Sequence, residues 1–161
     1  FSEAIREARD RIVVIDTAPS GHTLLLLDAT GSYHREMLHQ MGDTATATPL
    51  TRLQDPDYTK MIIVTLPETT PVLEAEQLQR DLHRAAIVPW AWVVNRSVAA
   101  TRPAPGFLHT IGEGELPQIE HVRQLAERMA VVPLLPTPPI GQQNLHDLSR
   151  TSPVGSLAAT R

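Results

Sequence analysis

The sequence predicts an α/β domain built on a parallel sheet. Short apolar runs rich in β-branched residues, which are typical of buried parallel strands, alternate with longer segments that carry apolar residues at helical spacing. This alternation is typical of βαβ units with right-handed crossovers, in a sheet that helices cover on both faces. We expect residues 1–149 to form this domain and residues 150–161 to form a disordered tail.

The first predicted strand is residues 12–15, which ends on the acidic residue Asp16. Pro19 and Gly21 then predict a turn, and His22 opens an apolar segment that is typical of a helix start. Ligands bind α/β sheets where a parallel strand ends in a loop that leads to a helix. Asp16 is therefore a candidate for holding Mg²⁺ or a water that faces a phosphate, and the alternative is an acid that only caps the helix.

The next elements are predicted from composition and periodicity. Residues 22–40 are expected to be helical, and residues 41–59, rich in Thr, Asp and Gly, to form a flexible connection. Residues 61–66 predict a buried strand, and Thr70 and Pro71 then start a helix with a hydroxyl cap and a proline in the first turn. The apolar face of that helix is expected to consist of Val72, Ala75, Leu78, Leu82 and Ala85.

Two polar residues follow predicted strands. Glu68 lies after residues 61–66, where the dipole of the next helix favours an acid, so the residues alone indicate a structural role. Asn95 ends the strand predicted at residues 90–95. Its amide has both a donor and an acceptor, which matches the edge of adenine, and a turn-forming asparagine is the alternative.

The last third of the chain predicts a loop, a helix, a strand and a short helix. Residues 96–114 contain three glycines and predict a mobile loop. Residues 130–136 predict a fourth strand, or an edge strand in view of Pro133, and residues 143–149 predict a short helix. The helix between them is expected to have an apolar face of Leu116, Ile119, Val122, Leu125 and Met129.

The composition excludes several classes of function. The net charge of −4 and the lack of a basic run argue against a nucleic-acid-binding surface. The chain has no cysteine, which excludes disulfides and thiolate metal sites. No apolar run approaches the roughly 20 residues that span a bilayer. The phosphate loop G-x-x-x-x-G-K-[ST] is also absent, since the only lysine, Lys60, is followed by Met61.

The string Asp16-Thr-Ala-Pro-Ser-Gly-His-Thr23 resembles the signature of the arsenite-pump-driving ATPases (ArsA) and of their relatives that target tail-anchored membrane proteins. The usual form has Thr in place of Ser20, which keeps the hydroxyl. The resemblance extends over roughly residues 10–145 and is greatest for the second half of a two-half arsenite ATPase. It continues through residues 28–31, 54–56, 65–75, 89–95 and 115–120.

The resemblance implies a nucleotide-binding domain of the P-loop NTPase type with a deviant Walker phosphate loop. This domain would be incomplete, because the strand that carries the phosphate loop would lie upstream of Phe1 in a longer cytosolic protein. In the family fold that strand lies between the two that correspond to residues 12–15 and 61–66. We therefore expect a gap or a non-native pairing between these two segments.

The resemblance also implies roles for single residues. Asp16 would be catalytic, beside Mg²⁺ and the attacking water. Glu68 and Asn95 would contact the nucleotide, with Asn95 at the adenine, and Pro136 would form a wall against the base. His22 would bind As(III) or Sb(III), or serve as a switch-loop histidine without a metal, because trivalent metalloids prefer thiolates that this chain lacks.

The implied function is that of part of an ATPase that uses ATP and Mg²⁺ to drive arsenite or antimonite efflux, with residues 16–22 as the switch loop. Its partners would be the missing N-terminal part of its own protein, a separate membrane efflux pump and a metalloid chaperone, but no nucleic acid. The protein would be cytoplasmic, and peripheral at the inner face of the cell membrane when bound to the pump.

Two alternatives stay open. One is an ATPase that targets tail-anchored membrane proteins, against which the short polar connection before Met61 and the absence of cysteine both count. The other is a non-catalytic fragment of the fold, because the chain by itself is expected to be inactive without a phosphate loop.

Overall fold

The architecture is α/β, as predicted. The computed structural model describes residues 7–8, 11–16 and 49–150. These residues fall into two compact units. The first unit is formed by Phe1–Met61 and Gln77–Pro89, and the second by Ile62–Glu76 and Trp90–Arg161.

The second unit contains a parallel three-stranded sheet with the order β1-β2-β3. The strands are β1 (Ile62–Thr65), β2 (Ala91–Ser97) and β3 (Met129–Pro133). In their register Thr65 lies opposite Val94, and Val94 lies opposite Val131. The three strands predicted downstream of residue 60 are therefore confirmed, and β3 is an edge strand of this sheet, as Pro133 indicated.

Four helices accompany the strands in the described part of the chain. They are α1 (Pro49–Gln54), α2 (Thr69–Arg84), α3 (Phe107–Leu125) and α4 (Gln142–Arg150), with a 3₁₀ turn at Ala99–Thr101. In the second unit, Gln118 Nε2 donates to Thr69 Oγ1 at 3.1 Å, and His121 Nε2 lies 3.1 Å from Glu76 Oε2. These contacts make α3 a neighbour of the first half of α2.

One face of the sheet is buried and the other is not. Ile63, Trp92 and Val94 point to the buried face, whereas Ile62 and Val64 on the opposite face are 46% and 60% exposed. Two right-handed crossovers in the same direction place their helices on the same side of a sheet. The expectation that helices cover both faces is therefore not met within the residues that the structure describes.

In the first unit, α2 ends in a Schellman motif that contains no glycine. The N–H of Ile87 donates to the carbonyl of Leu82 at 2.9 Å, and the N–H of Ala86 donates to the carbonyl of His83 at 3.0 Å. Ala86 adopts a left-handed conformation with φ +57°. Leu82 and Ile87 are both buried, which is the apolar contact that usually accompanies this motif.

The connection predicted at residues 41–59 contains a helix in its described part. The structure has α1 at Pro49–Gln54, and Gln54 Nε2 donates to the carbonyl of Ala85 at 2.8 Å. This bond satisfies one of the carbonyls that the end of α2 leaves without a helical partner. The prediction of a flexible segment was wrong here, because a contact distant in sequence holds the helix in place.

Residues 12–15 do not form the predicted strand. Residues 12–16 have no regular secondary structure, and Ile12 and Val14 are 95% and 90% exposed. A strand needs a hydrogen-bonded neighbour, and the sheet of the described residues consists of β1, β2 and β3 alone. The direct pairing with β1 that would contradict the expected gap is therefore not seen.

The predicted loop at residues 96–114 is largely ordered into helical structure. The 3₁₀ turn occupies Ala99–Thr101, and α3 begins at Phe107. A Cβ on Gly112 would lie 3.1 Å from Ala99 Cα, so glycine allows the helix to approach the turn closely. The helix is also longer than predicted at its start, while Met129 belongs to β3.

Two predicted segments lie wholly or almost wholly outside the described residues. The helix expected at residues 22–40 stays a prediction, and so does the tail expected at residues 150–161, except that Arg150 is the last residue of α4. Among the residues described, no helix combines the length and the apolar character that crossing a bilayer requires.

The two tryptophans provide a matched test of the core. Trp92 is 2% exposed, whereas Trp90 is 42% exposed and stacks under Arg128. We expect Trp92→Ala to lower the free energy of unfolding by about 3–5 kcal/mol and Trp90→Ala by about 1 kcal/mol. Urea denaturation followed by far-ultraviolet circular dichroism measures both values. Equal losses would contradict the assignment of the buried face.

Candidate functional site

The carboxyl edge of the sheet gathers three of the predicted site residues. Since β1 and β2 are parallel and Thr65 lies opposite Val94, Glu68 follows the carboxyl end of β1 and Asn95 lies near the carboxyl end of β2. Pro136 follows β3 at that edge as well. The strand pattern predicts that Asp16, Glu68 and Asn95 converge on one edge; the parallel register is consistent with this for Glu68 and Asn95, and a shared site stays a prediction.

β2 has a bulge at Asn95 and Arg96. Val94 pairs with Val131 and Ser97 pairs with Pro133, so two residues of β2 lie opposite the single residue Val132. Arg96 adopts a left-handed conformation with φ +59°. The strand therefore continues to Ser97, and the prediction that it ends at Asn95 was wrong. Bulges of this kind are frequent beside active sites, where they redirect a side chain.

Within the bulge, the Asn95 amide forms a hydrogen bond with the backbone of the next residue. The N–H of Arg96 donates to Asn95 Oδ1 at 3.0 Å, which identifies the oxygen end of the amide. A carbonyl oxygen has two lone pairs, so Oδ1 retains one acceptor position while Nδ2 offers two donors. Asn95 is partly exposed. An acceptor and a donor side by side match the amino group and ring nitrogen of adenine.

Behind the bulge, Ser97 is fully buried and connects three segments. Its Oγ donates to Glu115 Oε2 at 2.8 Å and accepts the N–H of Ala100 at 3.1 Å. Its carbonyl accepts the N–H of Leu134 at 2.8 Å. Ser97 therefore ties the end of β2 to α3 and to the segment that leads to Pro136.

Glu115 is a buried carboxylate that the sequence reasoning did not single out. It is 8% exposed, and besides Ser97 it accepts the N–H of Val98 on Oε1 at 3.1 Å and that of Ala99 on Oε2 at 3.0 Å. Burying a charge is costly unless hydrogen bonds compensate, and here three donors do so.

The signal for Glu115 was present in the spacing of α3. Glu115, Ile119 and Val122 lie four and three residues apart, so the acid occupies a position of the inward stripe of the helix. Leu116, predicted on the apolar face, is instead 54% exposed, whereas Val122 is fully buried. The predicted inward face of this helix was therefore displaced by one residue at its start, where Glu115 and not Leu116 is buried.

Glu68 lies at the start of α2. Its side chain is exposed, and its carbonyl accepts the N–H of Val72 at 3.0 Å. Because the helix begins at Thr69, the residue that precedes it is Glu68, and the predicted cap by Thr70 was wrong. Pro136 is exposed, in the segment that follows β3.

The predicted roles of Asp16 and His22 stay predictions. Asp16 is exposed and belongs to the first unit, and the strand that was expected to carry it is not formed. His22 lies outside the described residues. Within residues 7–8, 11–16 and 49–150, no group of three His, Cys, Asp or Glu could hold a metal ion.

Comparison with known proteins gives a consistent result. The family of anion-transporting ATPases matches residues 26–152. An arsenical pump-driving ATPase of Acidiphilium multivorum is 55% identical over 92% of this chain and 26% of that protein, and one of Escherichia coli is 54% identical with the same coverage. A putative arsenical pump-driving ATPase of Halobacterium salinarum is 29% identical over 84% of this chain and 23% of its own length. The chain thus spans about a quarter of the length of these relatives.

The left-handed conformation of Arg96 can be tested with two substitutions. Glycine adopts this conformation without the steric cost that alanine bears, so Arg96→Gly should unfold with a free energy about 1 kcal/mol higher than Arg96→Ala. Chemical denaturation of the two variants measures the difference.

Arg128 is the matched control, because it is not among the residues with positive φ. There the glycine variant should be the less stable of the pair. An alanine variant at residue 96 that is as stable as the glycine variant would argue against the bulge.

Proposed function

The chain belongs to the family of anion-transporting ATPases, and from this premise we propose that it is part of an ATPase that couples ATP hydrolysis to arsenite or antimonite efflux through a separate membrane pump. The observation that carries the proposal is the identity of 53–55% over 92% of the chain with proteins described as arsenical pump-driving ATPases. Since the chain spans about a quarter of their length, the activity of the whole protein is part of the proposal.

The carboxyl edge of the sheet would bind the adenine end of ATP. Asn95 would accept from the adenine amino group with Oδ1 and donate to a ring nitrogen with Nδ2. The N–H of Arg96 opposes rotation of this amide, because it already donates to Oδ1. Glu68 would contact the nucleotide from the end of β1, and Pro136 would form a wall against the base.

The phosphates and Mg²⁺ require residues beyond those described at this edge. The sequence has no phosphate loop, so the missing N-terminal part of the protein would supply it. Asp16 would hold Mg²⁺ or orient the attacking water, since an exposed carboxylate suits both tasks. Residues 16–22 would form the switch loop that responds to hydrolysis.

His22 would connect the switch loop to the transported metalloid, As(III) or Sb(III). Imidazole is a weaker partner for these soft ions than thiolate, and the chain has no cysteine. Any thiolates would therefore come from the missing part of the protein. A metalloid chaperone and a membrane pump would be its partners, at the inner face of the cell membrane.

By itself, the chain of 161 residues would not hydrolyse ATP, because positioning of the phosphates provides most of the catalysis in phosphoryl transfer. A phosphate-release assay on this chain tests the point. The alternative of targeting tail-anchored proteins has no specific observation in its favour.

Asn95→Ala tests the adenine contact in the full-length protein that contains this sequence. Removing an amide that pairs with adenine should raise the KM for MgATP about tenfold, since such pairs contribute about 1–3 kcal/mol to base discrimination. The preference for ATP over ITP, which differs from ATP at the 6-position of the base, should fall by a similar factor. Steady-state turnover with both nucleotides measures this.

The matched control is Asn144→Ala on α4, where an exposed amide donates to the carbonyl of Ile140. It should retain the parent's KM for ATP and its base preference. An Asn95→Ala variant that behaves like this control would remove Asn95 from the nucleotide site.

His22→Ala tests the metalloid role in the same full-length protein. Loss of a ligand should raise the Sb(III) concentration for half-maximal stimulation of ATP turnover about tenfold or more. Even the loss of a side chain that only hydrogen-bonds to a metal ligand typically weakens metal binding about tenfold. The exposed His146 on α4 offers a control, and His146→Ala should leave the stimulation unchanged. Equal Sb(III) dependence in both variants would exclude His22 from the metalloid site.

A further inference from the structure

We propose that Glu115 is a positioning residue for base recognition. By holding the backbone that follows the Asn95–Arg96 bulge, it determines the direction in which the Asn95 amide faces the base. This inference rests on the proposed nucleotide site at the carboxyl edge of the sheet. It concerns a residue that would not touch the nucleotide and would act through Asn95.

The first step is that Glu115 binds three successive residues just after the bulge. Its two oxygens accept the hydroxyl of Ser97 at 2.8 Å and the N–H groups of Val98 and Ala99 at 3.1 and 3.0 Å. Since all three contacts are buried or partly buried, water does not compete for them freely. The carboxylate thereby determines the path of the chain from the end of β2 into the 3₁₀ turn.

The second step is that the bulge is held at both ends. Val94 is fixed on one side by its pairing with Val131, and Ser97 on the other by Glu115 and by the N–H of Leu134. A non-glycine residue such as Arg96 keeps a left-handed conformation only where the surrounding structure imposes it. Releasing Ser97 would allow Arg96 to relax and Asn95 to turn.

The third step is that a glycine in α3 allows this helix to approach the 3₁₀ turn closely. Gly112 lies about one helical turn before Glu115, and a Cβ there would come within 3.2 Å of the Ala99 nitrogen as well as 3.1 Å of its Cα. The absent side chain lets the helix come close enough for the Glu115 carboxylate to reach the turn. Glu115 is only 8% exposed, and the cost of burying its charge is offset by the three donors that this close approach brings to it.

The chemistry of the contact requires a carboxylate. In the three hydrogen bonds to Glu115 the partners are all donors, and a carboxylate accepts. Glutamine has the same shape but would direct an NH₂ group at one of these donors. Glu115→Gln therefore disturbs the turn with a minimal change of volume.

The experiment compares Glu115→Gln with the parent in the full-length protein, with MgATP and MgITP as the probes. We expect the preference for ATP over ITP, as the ratio of kcat/KM values, to fall about fivefold to tenfold, with KM for ATP raised and kcat at saturating ATP within about twofold of the parent. A role in stability alone would not change the base preference of the folded enzyme.

Glu113→Gln is the matched control, because Glu113 lies on the same helix but is exposed, and its Oε1 lies 3.4 Å from His109 Nε2. It removes the same charge and should keep the parent's base preference. Should Glu115→Gln not fold, as judged by circular dichroism, Ser97→Ala takes its place. It removes one of the three donors, and we expect the preference to fall about twofold to threefold.

The outcomes separate this inference from the proposed function. The positioning role is overturned if a folded Glu115→Gln variant, or Ser97→Ala in its place, keeps the parent's ratio of kcat/KM values for ATP and ITP. This holds even where Asn95→Ala loses the preference for ATP. A parent protein that does not prefer ATP to ITP overturns the adenine site itself, and with it the premise of this inference.

Discussion

The buried carboxylate of Glu115 is the interaction on which the candidate site depends. It joins α3 to the end of β2, and Ser97 extends the connection to the segment after β3. A charge in this position is stable only because three donors face it. The same donors need the charge, since an N–H or hydroxyl left unpaired in the interior costs about 1–3 kcal/mol. The two requirements together give the carboxyl edge one well-defined geometry.

The bulge at Asn95 and Arg96 shows how this geometry reaches the surface. A regular strand would alternate its side chains between the two faces of the sheet, and Asn95 would follow that alternation. The extra residue in β2 interrupts it, at the expense of a left-handed arginine. Strain of this kind is typical of binding sites, where the surrounding structure enforces it. The site thus combines a rigid anchor inside with a strained, partly exposed amide outside.

The described part of the chain contains one edge of a parallel sheet at which predicted site residues lie. The chain belongs to the family of anion-transporting ATPases and spans about a quarter of the length of the arsenical pump-driving ATPases that it resembles. The structure brings Glu68, Asn95 and the segment before Pro136 to one edge of a parallel sheet. Binding of a nucleotide, of Mg²⁺ and of a metalloid is proposed. Asp16 belongs to a different unit from this edge.

The sequence by itself determined the elements that depend on local pattern. The strands near residues 61–66, 90–95 and 130–136 and the helix after Thr70 followed from apolar periodicity, because burial of these side chains stabilises them whatever the details of the contacts. Only the tertiary structure decided the rest. Residues 12–15 have a strand-like composition but no strand beside them, the bulge at Arg96 requires Ser97 to be anchored, and Gly112 and Glu115 acquire their roles from residues more than ten positions away. The spacing of the helix indicates that Glu115 points inward, but the partners that it meets there come from distant segments and have no local signature.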